Sequence, residues 1–244
     1  MKQALITGGQ QGIGLGIALS LHGAGFQIAL AAEVAPDAPA VQAALQALPG
    51  ARYFQHDLLQ TDATALLGAV GPVACLVSNA GVPARIRGDM LDLSPQNFDF
   101  TMGVNLRGTF FLAQAVARQM LGASSDHYRS MIFITSVSAQ MVSIERAEYC
   151  MSKSAAAMMA QLFAARLAAS NIGVYDLRPG IIATPMTEAV TAKYDAAIPV
   201  LVPAARWGQP ADIGQVAVPL ALGQMQFATG AVIPVDGGLS IQRL

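Results

Sequence analysis

The amino-acid sequence predicts a doubly wound α/β fold, in which a parallel sheet carries helices on both faces. Apolar runs of strand length alternate with longer stretches of helical composition along the whole chain. Such alternation is typical of β-α-β units with right-handed crossovers. A glycine-rich turn follows the first apolar run, at residues 8–14. Ligands of such sheets bind beyond the carboxyl ends of the strands, so we expect a site in the loops that follow the strands.

Strands and helices are predicted in strict alternation along most of the chain. The strands are predicted at residues 3–7, 26–32, 51–56, 73–78, 129–135, 173–178 and 231–235. The helices are predicted at residues 12–23, 38–48, 62–70, 97–123, 148–170 and 211–222. Neither an internal repeat nor a low-complexity linker divides the 244 residues. We therefore expect a single domain, 1–244, with a seven-stranded parallel sheet.

The composition argues against several classes of function. Hydrophobic residues make up 54% of the chain and charged residues 12%, against roughly 25% charged residues in an ordinary soluble domain. A net charge of −1 without a basic run argues against a nucleic-acid partner. Two cysteines and three scattered histidines fit neither a disulfide framework nor a metal site. The sequence has no apolar run of membrane-spanning length and no signal-peptide pattern, so we expect no membrane association and a cytoplasmic location.

The glycine-rich turn runs from the first strand directly into the first helix. Gly8, Gly12 and Gly14 allow a tight turn and a close approach of the backbone to a pyrophosphate. The amides around Gln11 and Ile13 lie at the start of the helix, where an anion binds favourably. The spacing differs from the common G-x-G-x-x-G pattern, and a simple tight connection between strand and helix is the alternative interpretation.

Tyr149 and Lys153 are four residues apart in a stretch of helical composition. At this spacing the phenol and the ammonium lie one turn apart on the same helix face. A free phenol has a pKa near ~10 and is a poor acid-base catalyst at neutral pH. A positive charge beside it favours the phenolate, so we expect Lys153 to lower the pKa of Tyr149. By itself, such a pair is more often an ordinary surface neighbour pair.

The ordered set of motifs resembles the classical short-chain dehydrogenase/reductase family over essentially the whole chain. It comprises the glycine-rich turn, Asn105 within a helical stretch, Ser136 at the end of the fifth strand, and Tyr149 with Lys153. Within that family the chain is most similar to the bacterial 3-ketoacyl-carrier-protein-reductase-like group. The resemblance implies a Rossmann-like domain and an NAD(P)-dependent oxidoreductase that interconverts a ketone and a secondary alcohol.

The resemblance also implies a role for each catalytic residue. Tyr149 would donate the proton to the carbonyl oxygen, or accept it when an alcohol is oxidised. Lys153 would lower the pKa of Tyr149 and hold the nicotinamide ribose. Ser136 would polarise the carbonyl, and Asn105 would hold a water in a proton relay. Ser138, two residues further along the chain than Ser136, is the candidate substrate contact.

Dinucleotide contacts follow from the same resemblance. Besides the glycine-rich turn, Tyr149 and Lys153, they are Glu33, Asp57, Leu58, Asn79, Ala80, Gly81, Pro179, Gly180, Ile182 and Thr184. Glu33 lies about 20 residues beyond the glycines, where an acidic side chain can hydrogen-bond the ribose of NAD and repel the phosphate of NADP. No arginine or lysine occurs at residues 10, 11 or 31–37. NAD is therefore favoured and NADP is possible, although Glu33 could instead be a solvated loop residue.

The sequence leaves the small-molecule substrate open. Residues 185–206 resemble the family's mobile substrate-binding lid and carry several apolar residues. Arg85 and Arg87 could meet an acidic substrate, but we favour solvation for both. One alternative function is the reduction of 3-ketoacyl thioesters on a carrier protein. Another is a non-catalytic dinucleotide-binding regulator, which the complete catalytic set disfavours.

Two helices predict self-association. The stretches after Asn105 and after Lys153 are apolar almost all round, yet a sheet covers only one side of a helix. The remaining apolar surface would form a patch larger than a soluble monomer commonly carries. Pairing each helix with its copy across two-fold axes would bury it, as family members commonly do. We therefore expect a homotetramer, or failing that a dimer, with Phe111 and Met159 in the interface.

Overall fold

The computed structural model of the protein describes residues 2–60 and 62–242, with only the backbone at residue 189. Positions 1, 61, 243 and 244 of the predicted domain lie outside the described residues. The strands form one seven-stranded sheet in the order β3-β2-β1-β4-β5-β6-β7, and each neighbouring pair is parallel. They are β1 (Gln3–Thr7), β2 (Gln27–Ala32), β3 (Arg52–Gln55), β4 (Cys75–Ser78), β5 (Arg129–Ile134), β6 (Ile172–Pro179) and β7 (Val232–Val235). The predicted fold class is thereby confirmed.

Helices cover both faces of this sheet. Within the described residues they are α1 (Gly12–Gly23), α2 (Pro39–Ala47), α3 (Thr64–Val70), α4 (Pro95–Met102), α5 (Thr109–Gly122), α6 (Ala147–Leu167), α7 (Thr191–Leu201) and α8 (Pro210–Ala221). On one face, α5 and α6 pack with Leu5 and Leu76 of the sheet. On the other, α1 and α8 pack with Ile6 and Val77. Adjacent strand residues thus belong to different cores, as expected for a parallel sheet that is buried on both sides.

The helix predicted at residues 97–123 is divided into three segments. The side chain of Ser94 accepts a hydrogen bond from the amide of Asn97 at 3.3 Å and so caps α4, which starts at Pro95. A π-helical segment, Gly103–Gly108, separates α4 from α5 and contains Asn105. A β-carbon at Gly108 would lie only 1.9 Å from the carbonyl oxygen of Leu58. The close passage of two backbones at this point therefore requires a glycine.

The predicted lid, 185–206, has regular structure that the sequence pattern did not predict. A 3₁₀ segment, Pro185–Val190, leads into α7. Tyr194 of α7 packs edge-to-face against Trp207, with ring centroids 5.9 Å apart. The indole nitrogen of Trp207 donates a hydrogen bond to Asp195 at 2.7 Å. Pro199 lies inside α7 and masks its helical pattern in the sequence. Movement of this segment stays a prediction.

The apolar surface of α5 and α6 differs from the expectation at one residue. Met159 is 3% exposed and packs in the core between α6 and the sheet, so its assignment to a subunit interface is wrong. The exposed side of α6 carries Met151, Met158 and Leu162 instead, and Phe111 is partly exposed on α5. Met151, Met158 and Leu162 are seven and four residues apart, which places them on one helix face.

None of the helices within the described residues is both long and apolar enough to cross a membrane.

Candidate active site

The site begins at the point where the strand order reverses, between β1 and β4. The hydroxyl oxygen of Thr7, the last residue of β1, accepts hydrogen bonds from the amides of Asn79 and Ala80, both at 3.0 Å. The side-chain amide of Asn79 donates back to the carbonyl of Thr7 at 2.9 Å. These bonds fix the two loops that leave the neighbouring strands. The crevice between them is the usual ligand position in doubly wound sheets.

The glycine-rich turn provides an open cradle beside this point. Gly8 and Gly12 have φ values of +62° and +54°, a region that favours glycine. A β-carbon at Gly14 would lie 2.3 Å from the carbonyl oxygen of Gly8 and 2.6 Å from Asn79 Nδ2. Gly14 is therefore required for the close packing of the turn against α1 and β4, and it lies behind the wall of the site. The turn is more than a simple connection, because it opens into a cleft.

A single cleft brings together nearly all the predicted site residues. Its volume is about 540 Å³, within the range of small-molecule sites. The predicted residues that line it are Gly8, Gln11, Gly12, Ile13, Glu33, Asp57, Leu58, Asn79, Ala80, Gly81, Ser136, Ser138, Tyr149, Lys153, Pro179, Gly180, Ile182 and Thr184. Gly14 and Asn105 are the predicted residues that do not line it.

Gln10 lines the cleft as well, and the sequence analysis did not identify it as a contact. Its side chain is 7% exposed, and its Oε1 atom has no hydrogen-bond partner among the described residues. A buried acceptor without a partner is unfavourable unless a ligand supplies the donor. Glu33 lies nearby at the end of β2 and is exposed. The glycine cradle and these acceptors fit the phosphates and ribose hydroxyls of a dinucleotide.

Asp57 lines the cleft and also shapes a turn of its own chain. Its Oδ1 atom accepts a hydrogen bond from the amide of Leu59 at 2.9 Å, which shapes the turn after β3. The neighbouring His56 lines the cleft too. Burial lowers the pKa of His56, while the charge of Asp57 partly opposes that effect. Contact of Asp57 with a dinucleotide stays a prediction.

Ser136 and Tyr149 meet at the end of β5. Ser136 caps a short 3₁₀ turn, where its hydroxyl oxygen accepts from the amide of Ser138 at 3.0 Å. Burial raises the pKa of Tyr149, whereas its hydrogen bond with Ser136 and the charge of Arg146 lower the pKa. The net direction is upward, opposite to the sequence expectation. Desolvation of the Tyr149 phenolate raises its pKa by more than Ser136 and Arg146 lower it.

Lys153 also differs from the expectation in its electrostatics. Its Nζ atom donates a hydrogen bond to the carbonyl oxygen of Ile134 at 3.0 Å and lies 5.7 Å from the centroid of the Tyr149 ring. Burial lowers the pKa of Lys153 from 10.5 to about 8, although the charge of Asp176 opposes this effect. The ammonium is held by the end of β5, and Lys153 is not among the groups that shift the pKa of Tyr149, which differs from the expected lowering of that pKa by Lys153.

Asn105 lies behind the catalytic pair and joins two segments. Its Oδ1 atom accepts from the amide of Val82 at 2.7 Å, and its Nδ2 atom donates to the carbonyl of Val82 and to the hydroxyl of Ser152, both at 3.0 Å. Ser152 in turn donates to the carbonyl of Tyr149 at 2.8 Å. Asn105 therefore positions the first turn of α6, which carries Tyr149. The water-holding role expected for it stays a prediction.

Beneath the cleft lies a buried charged pair that the sequence analysis did not identify. Asp176 of β6 accepts hydrogen bonds from the hydroxyl of Thr135 and from Arg178 Nε, the latter at 2.9 Å. Asp176 and Arg178 are 2% and 6% exposed. Because Asp176 also raises the pKa of Lys153, this pair belongs to the electrostatic environment of the site.

The reversed strand order, the glycine cradle and the adjoining cleft define a doubly wound dinucleotide-binding protein. The family model described as enoyl-(acyl carrier protein) reductase matches residues 8–240. The 3-oxoacyl-[acyl-carrier-protein] reductase MabA of Mycobacterium tuberculosis is 33% identical over 98% of this chain and 93% of its own. On these grounds the chain belongs to the classical short-chain dehydrogenase/reductase family.

Solved structures agree with this assignment. A 3-oxoacyl-[acyl-carrier protein] reductase from Brucella melitensis, in complex with NAD, is 45% identical with a TM-score of 0.94, covering 100% of this chain and 98% of that one. A gluconate 5-dehydrogenase from Burkholderia cenocepacia, in complex with NADP and tartrate, is 30% identical with a TM-score of 0.89. The match covers 99% of this chain and 96% of that one. The protein is thus an oxidoreductase that acts on CH-OH groups with NAD or NADP.

Proposed function

We propose that the protein interconverts a ketone and a secondary alcohol, with Ser136, Tyr149, Lys153 and Asn105 as its catalytic set. The observation that carries this proposal is that Ser136, Tyr149 and Lys153 open into the same cleft as the glycine cradle. The substrate carbonyl can therefore lie beside the phenol of Tyr149 while a dinucleotide lies along the ends of the strands.

The chain's own groups suit proton transfer to a carbonyl oxygen. When bound, the nicotinamide supplies a hydride to the carbonyl carbon, or accepts it in the reverse direction. The raised pKa of Tyr149 keeps its phenol protonated at neutral pH, ready to donate its proton as negative charge develops on the carbonyl oxygen. The hydroxyl oxygen of Ser136 accepts a hydrogen bond from the amide of Ser138, so its hydroxyl proton points to the Tyr149 side, where it can also stabilise charge on the carbonyl oxygen.

Lys153 has donors left for the cofactor. An ammonium has three N–H groups, and Ile134 accepts one of them. The remaining two are available to the hydroxyls of the nicotinamide ribose. Asn105 acts as a positioning residue, because its hydrogen bonds to Val82 and Ser152 hold the start of α6.

Tyr149→Phe tests this assignment, because it removes the proton-transferring oxygen and little volume. We expect kcat to fall by roughly 10²–10⁴-fold or more, with the Kd for the dinucleotide nearly unchanged. Tyr128→Phe is the matched control, since Tyr128 lies outside the cleft and its hydroxyl contacts that of Tyr175. The measurement is steady-state turnover over a panel of ketones and secondary alcohols with both nicotinamide cofactors. Wild-type kcat in Tyr149→Phe would refute the mechanism.

Reduction of 3-ketoacyl thioesters on a carrier protein is the second candidate, favoured by the relatives with that name. An acidic carrier would need exposed basic residues near the cleft. Arg129 is engaged with the carbonyls of Met120 and Ala123 at the end of α5, and Lys153 is buried. Among the described residues that line the cleft, the other cationic ones are Arg87 and Arg146, and two arginines do not form an extended basic patch. We therefore favour a free small molecule. A regulator that binds the dinucleotide without turnover would give no activity with any substrate of the panel.

For the cofactor we propose NAD. The carboxylate of Glu33, which follows β2, is an exposed acceptor that lines the cleft, and an acceptor suits ribose hydroxyls rather than a phosphate. Among the described residues that line the cleft after β2 and β3, none is an arginine or a lysine.

A homotetramer is the assembly we propose, with a dimer as the alternative. Met151, Met158 and Leu162 are 44%, 55% and 60% exposed along one face of α6. Burial of that apolar face against a second copy would remove it from water. We place the protein in the cytoplasm, where its two free cysteines would stay reduced.

A further inference from the structure

Two arginines line the catalytic end of the cleft, and the catalytic set does not include them. Arg87 follows β4, and Arg146 immediately precedes α6, three residues before Tyr149. The guanidinium carbon of Arg146 lies 5.4 Å from the centroid of the Tyr149 ring. A substrate whose carbonyl meets the phenol of Tyr149 would therefore extend past the guanidinium of Arg146.

The backbone brings the two arginines together. The amide of Gly88 donates a hydrogen bond to the carbonyl of Glu145 at 3.4 Å. Gly88 and Glu145 are the chain neighbours of Arg87 and Arg146, so the loop after β4 and the segment before α6 meet where both arginines branch from the backbone. Sequence reasoning favoured solvation for Arg87, because nothing in the sequence links these two segments.

No carboxylate of the described residues neutralises either arginine. Glu145, next to Arg146 in the chain, pairs instead with Lys193 of α7 at 3.2 Å. Arg146 Nε donates to the hydroxyl of Ser143 at 3.4 Å, a neutral partner that orients the guanidinium without satisfying its charge. The terminal nitrogens of Arg146 make no hydrogen bond within the part of the chain that the structure describes.

Charge is also segregated along the cleft. Among the described residues that line it, the acidic ones are Glu33 and Asp57, and the cationic ones are Arg87, Arg146 and Lys153. Glu33 and Asp57 follow β2 and β3, on one side of the strand-order reversal, whereas the cationic residues follow β4 and β5 on the other side. The end of the cleft that takes the reacting carbonyl is thus the cationic end.

We infer that Arg146, assisted by Arg87, binds a carboxylate of the substrate, so that the substrate is an oxo acid or the corresponding hydroxy acid. This inference rests on the proposed ketone-alcohol chemistry and names its substrate class. A guanidinium suits this role because its planar donors match the two oxygens of a carboxylate. We expect a short separation between the reacting carbonyl and the carboxylate, because the guanidinium carbon of Arg146 lies 5.4 Å from the centroid of the Tyr149 ring. Met141, Met186 and Leu201 line the same region and accommodate a short apolar chain.

Matched pairs of substrates test this inference. Straight-chain 2- and 3-hydroxy acids are compared with their methyl esters, which keep the alcohol and remove the charge. Each is assayed with NAD for wild type, Arg146→Gln, Arg146→Lys and Arg87→Gln. We expect wild type to favour the acid over its ester in kcat/KM by about 10- to 100-fold, as for a charge-assisted hydrogen bond.

The variants separate charge recognition from a structural role. In Arg146→Gln the acid-to-ester ratio of kcat/KM should fall close to one, because only the acid loses a charge partner. Any effect of the lost charge on the pKa of Tyr149 acts on both substrates alike and cancels in the ratio. Arg146→Lys should restore part of the ratio, because it keeps the charge and loses the planar donors. Arg87→Gln should lower the ratio less, since Arg87 is exposed. Arg85→Gln is the matched control, because Arg85 packs over the ring of Phe100 at 3.8 Å and does not belong to the residues that line the cleft.

Binding gives a readout that does not require turnover. The chain has one tryptophan, Trp207, and it packs against Tyr194 of the cleft. Titration of the NAD-loaded Tyr149→Phe variant with a hydroxy acid should change the Trp207 fluorescence saturably, and the added Arg146→Gln substitution should abolish the change. Titration with the methyl ester over the same concentrations should leave the Trp207 fluorescence unchanged.

The possible failures are distinguishable. If acids and esters react equally in wild type, or if esters are preferred, and turnover still depends on Tyr149, the carboxylate inference is overturned while the proposed chemistry stands. An acid-to-ester ratio that is unchanged in Arg146→Gln overturns it as well. If no alcohol or ketone of the panel reacts, the proposed function fails, and a flat fluorescence titration then overturns carboxylate binding separately.

Discussion

Replacing Lys153 by methionine is expected to stabilise the fold while it abolishes turnover. Lys153 is 7% exposed, and burial lowers its pKa from 10.5 to about 8. A lysine with a lowered pKa is charged at neutral pH only at the expense of folding free energy. Methionine keeps most of the apolar stem and removes the charge.

The expected gain follows from the pKa. The difference between 10.5 and about 8 corresponds to about 3 kcal/mol of destabilisation at pH 7. Methionine also loses the hydrogen bond from Nζ to the carbonyl of Ile134, which offsets about 1.5 kcal/mol of that gain. The variant should therefore be more stable by about 1–2 kcal/mol, or about 2–8 °C in Tm for a chain of this size.

The dependence on pH distinguishes this cause from better packing. The pKa of Lys153 is lower in the folded than in the unfolded protein, so its destabilising effect is complete below pH 8 and disappears as the pH approaches 10.5. At pH 9.5 only about 1 kcal/mol of the effect should remain. The destabilising effect of Lys153 should accordingly fall by about 2 kcal/mol between pH 7 and pH 9.5, so the advantage of Lys153→Met over wild type should disappear over that range.

Thermal unfolding of both proteins without added dinucleotide, at pH 7 and pH 9.5, measures this difference. Lys193→Met is the matched control, since the Lys193 side chain is 61% exposed and pairs with Glu145 at the surface. Its Tm difference from wild type should be small and the same at both pH values. A Lys153→Met advantage that does not narrow with pH would refute the lowered pKa of Lys153.

Two further predictions concern the cofactor and the assembly. Wild type should show a higher kcat/KM with NAD(H) than with NADP(H), and Glu33→Ala should narrow the ratio, because the substitution removes repulsion of the 2′-phosphate; a preference of wild type for NADP(H) would contradict the cofactor proposal. For the assembly, light scattering at micromolar concentration should give a multiple of 25.3 kDa, and Met158→Glu or Phe111→Glu should lower that mass because each places a charge in an apolar interface. Gln46→Glu is the charge-matched surface control, because Gln46 is exposed on α2, away from α5 and α6, and a fully active monomeric wild type would contradict the tetramer proposal.

The sheet was predictable because its signals are local. Each strand is a short apolar run next to a turn signal, and the structure places all seven close to their predicted positions. The helix at residues 97–123 was harder, since the π-helical segment around Asn105 depends on the contact of Gly108 with the Leu58 loop. Gly108 and Leu58 are fifty residues apart in the sequence, so no local sequence pattern predicts their contact. The burial of Met159 and the exposure of Met158 also depend on the rotation of α6 against the sheet.

The site was predictable to the extent that it consists of motifs. The glycine-rich turn, Ser136, Tyr149 and Lys153 meet in one cleft as expected. Gln10 could have been found from its place inside the glycine-rich turn, because a polar side chain there faces the ligand. The role of Arg146 depends on which segment the Gly88 loop contacts. The direction in which the pKa of Tyr149 shifts depends on the burial of its side chain, which the four-residue spacing from Lys153 does not reveal.

The buried pair beneath the cleft sets the charge state of the catalytic lysine. Desolvation by itself drives the pKa of Lys153 downward, and Asp176 opposes that drive. The result, about 8, still leaves most Lys153 side chains protonated at pH 7. Arg178 and Thr135 hydrogen-bond the carboxylate of Asp176 and so fix its position. The charge of Lys153 at neutral pH thus depends on Asp176 of β6, which does not line the cleft itself.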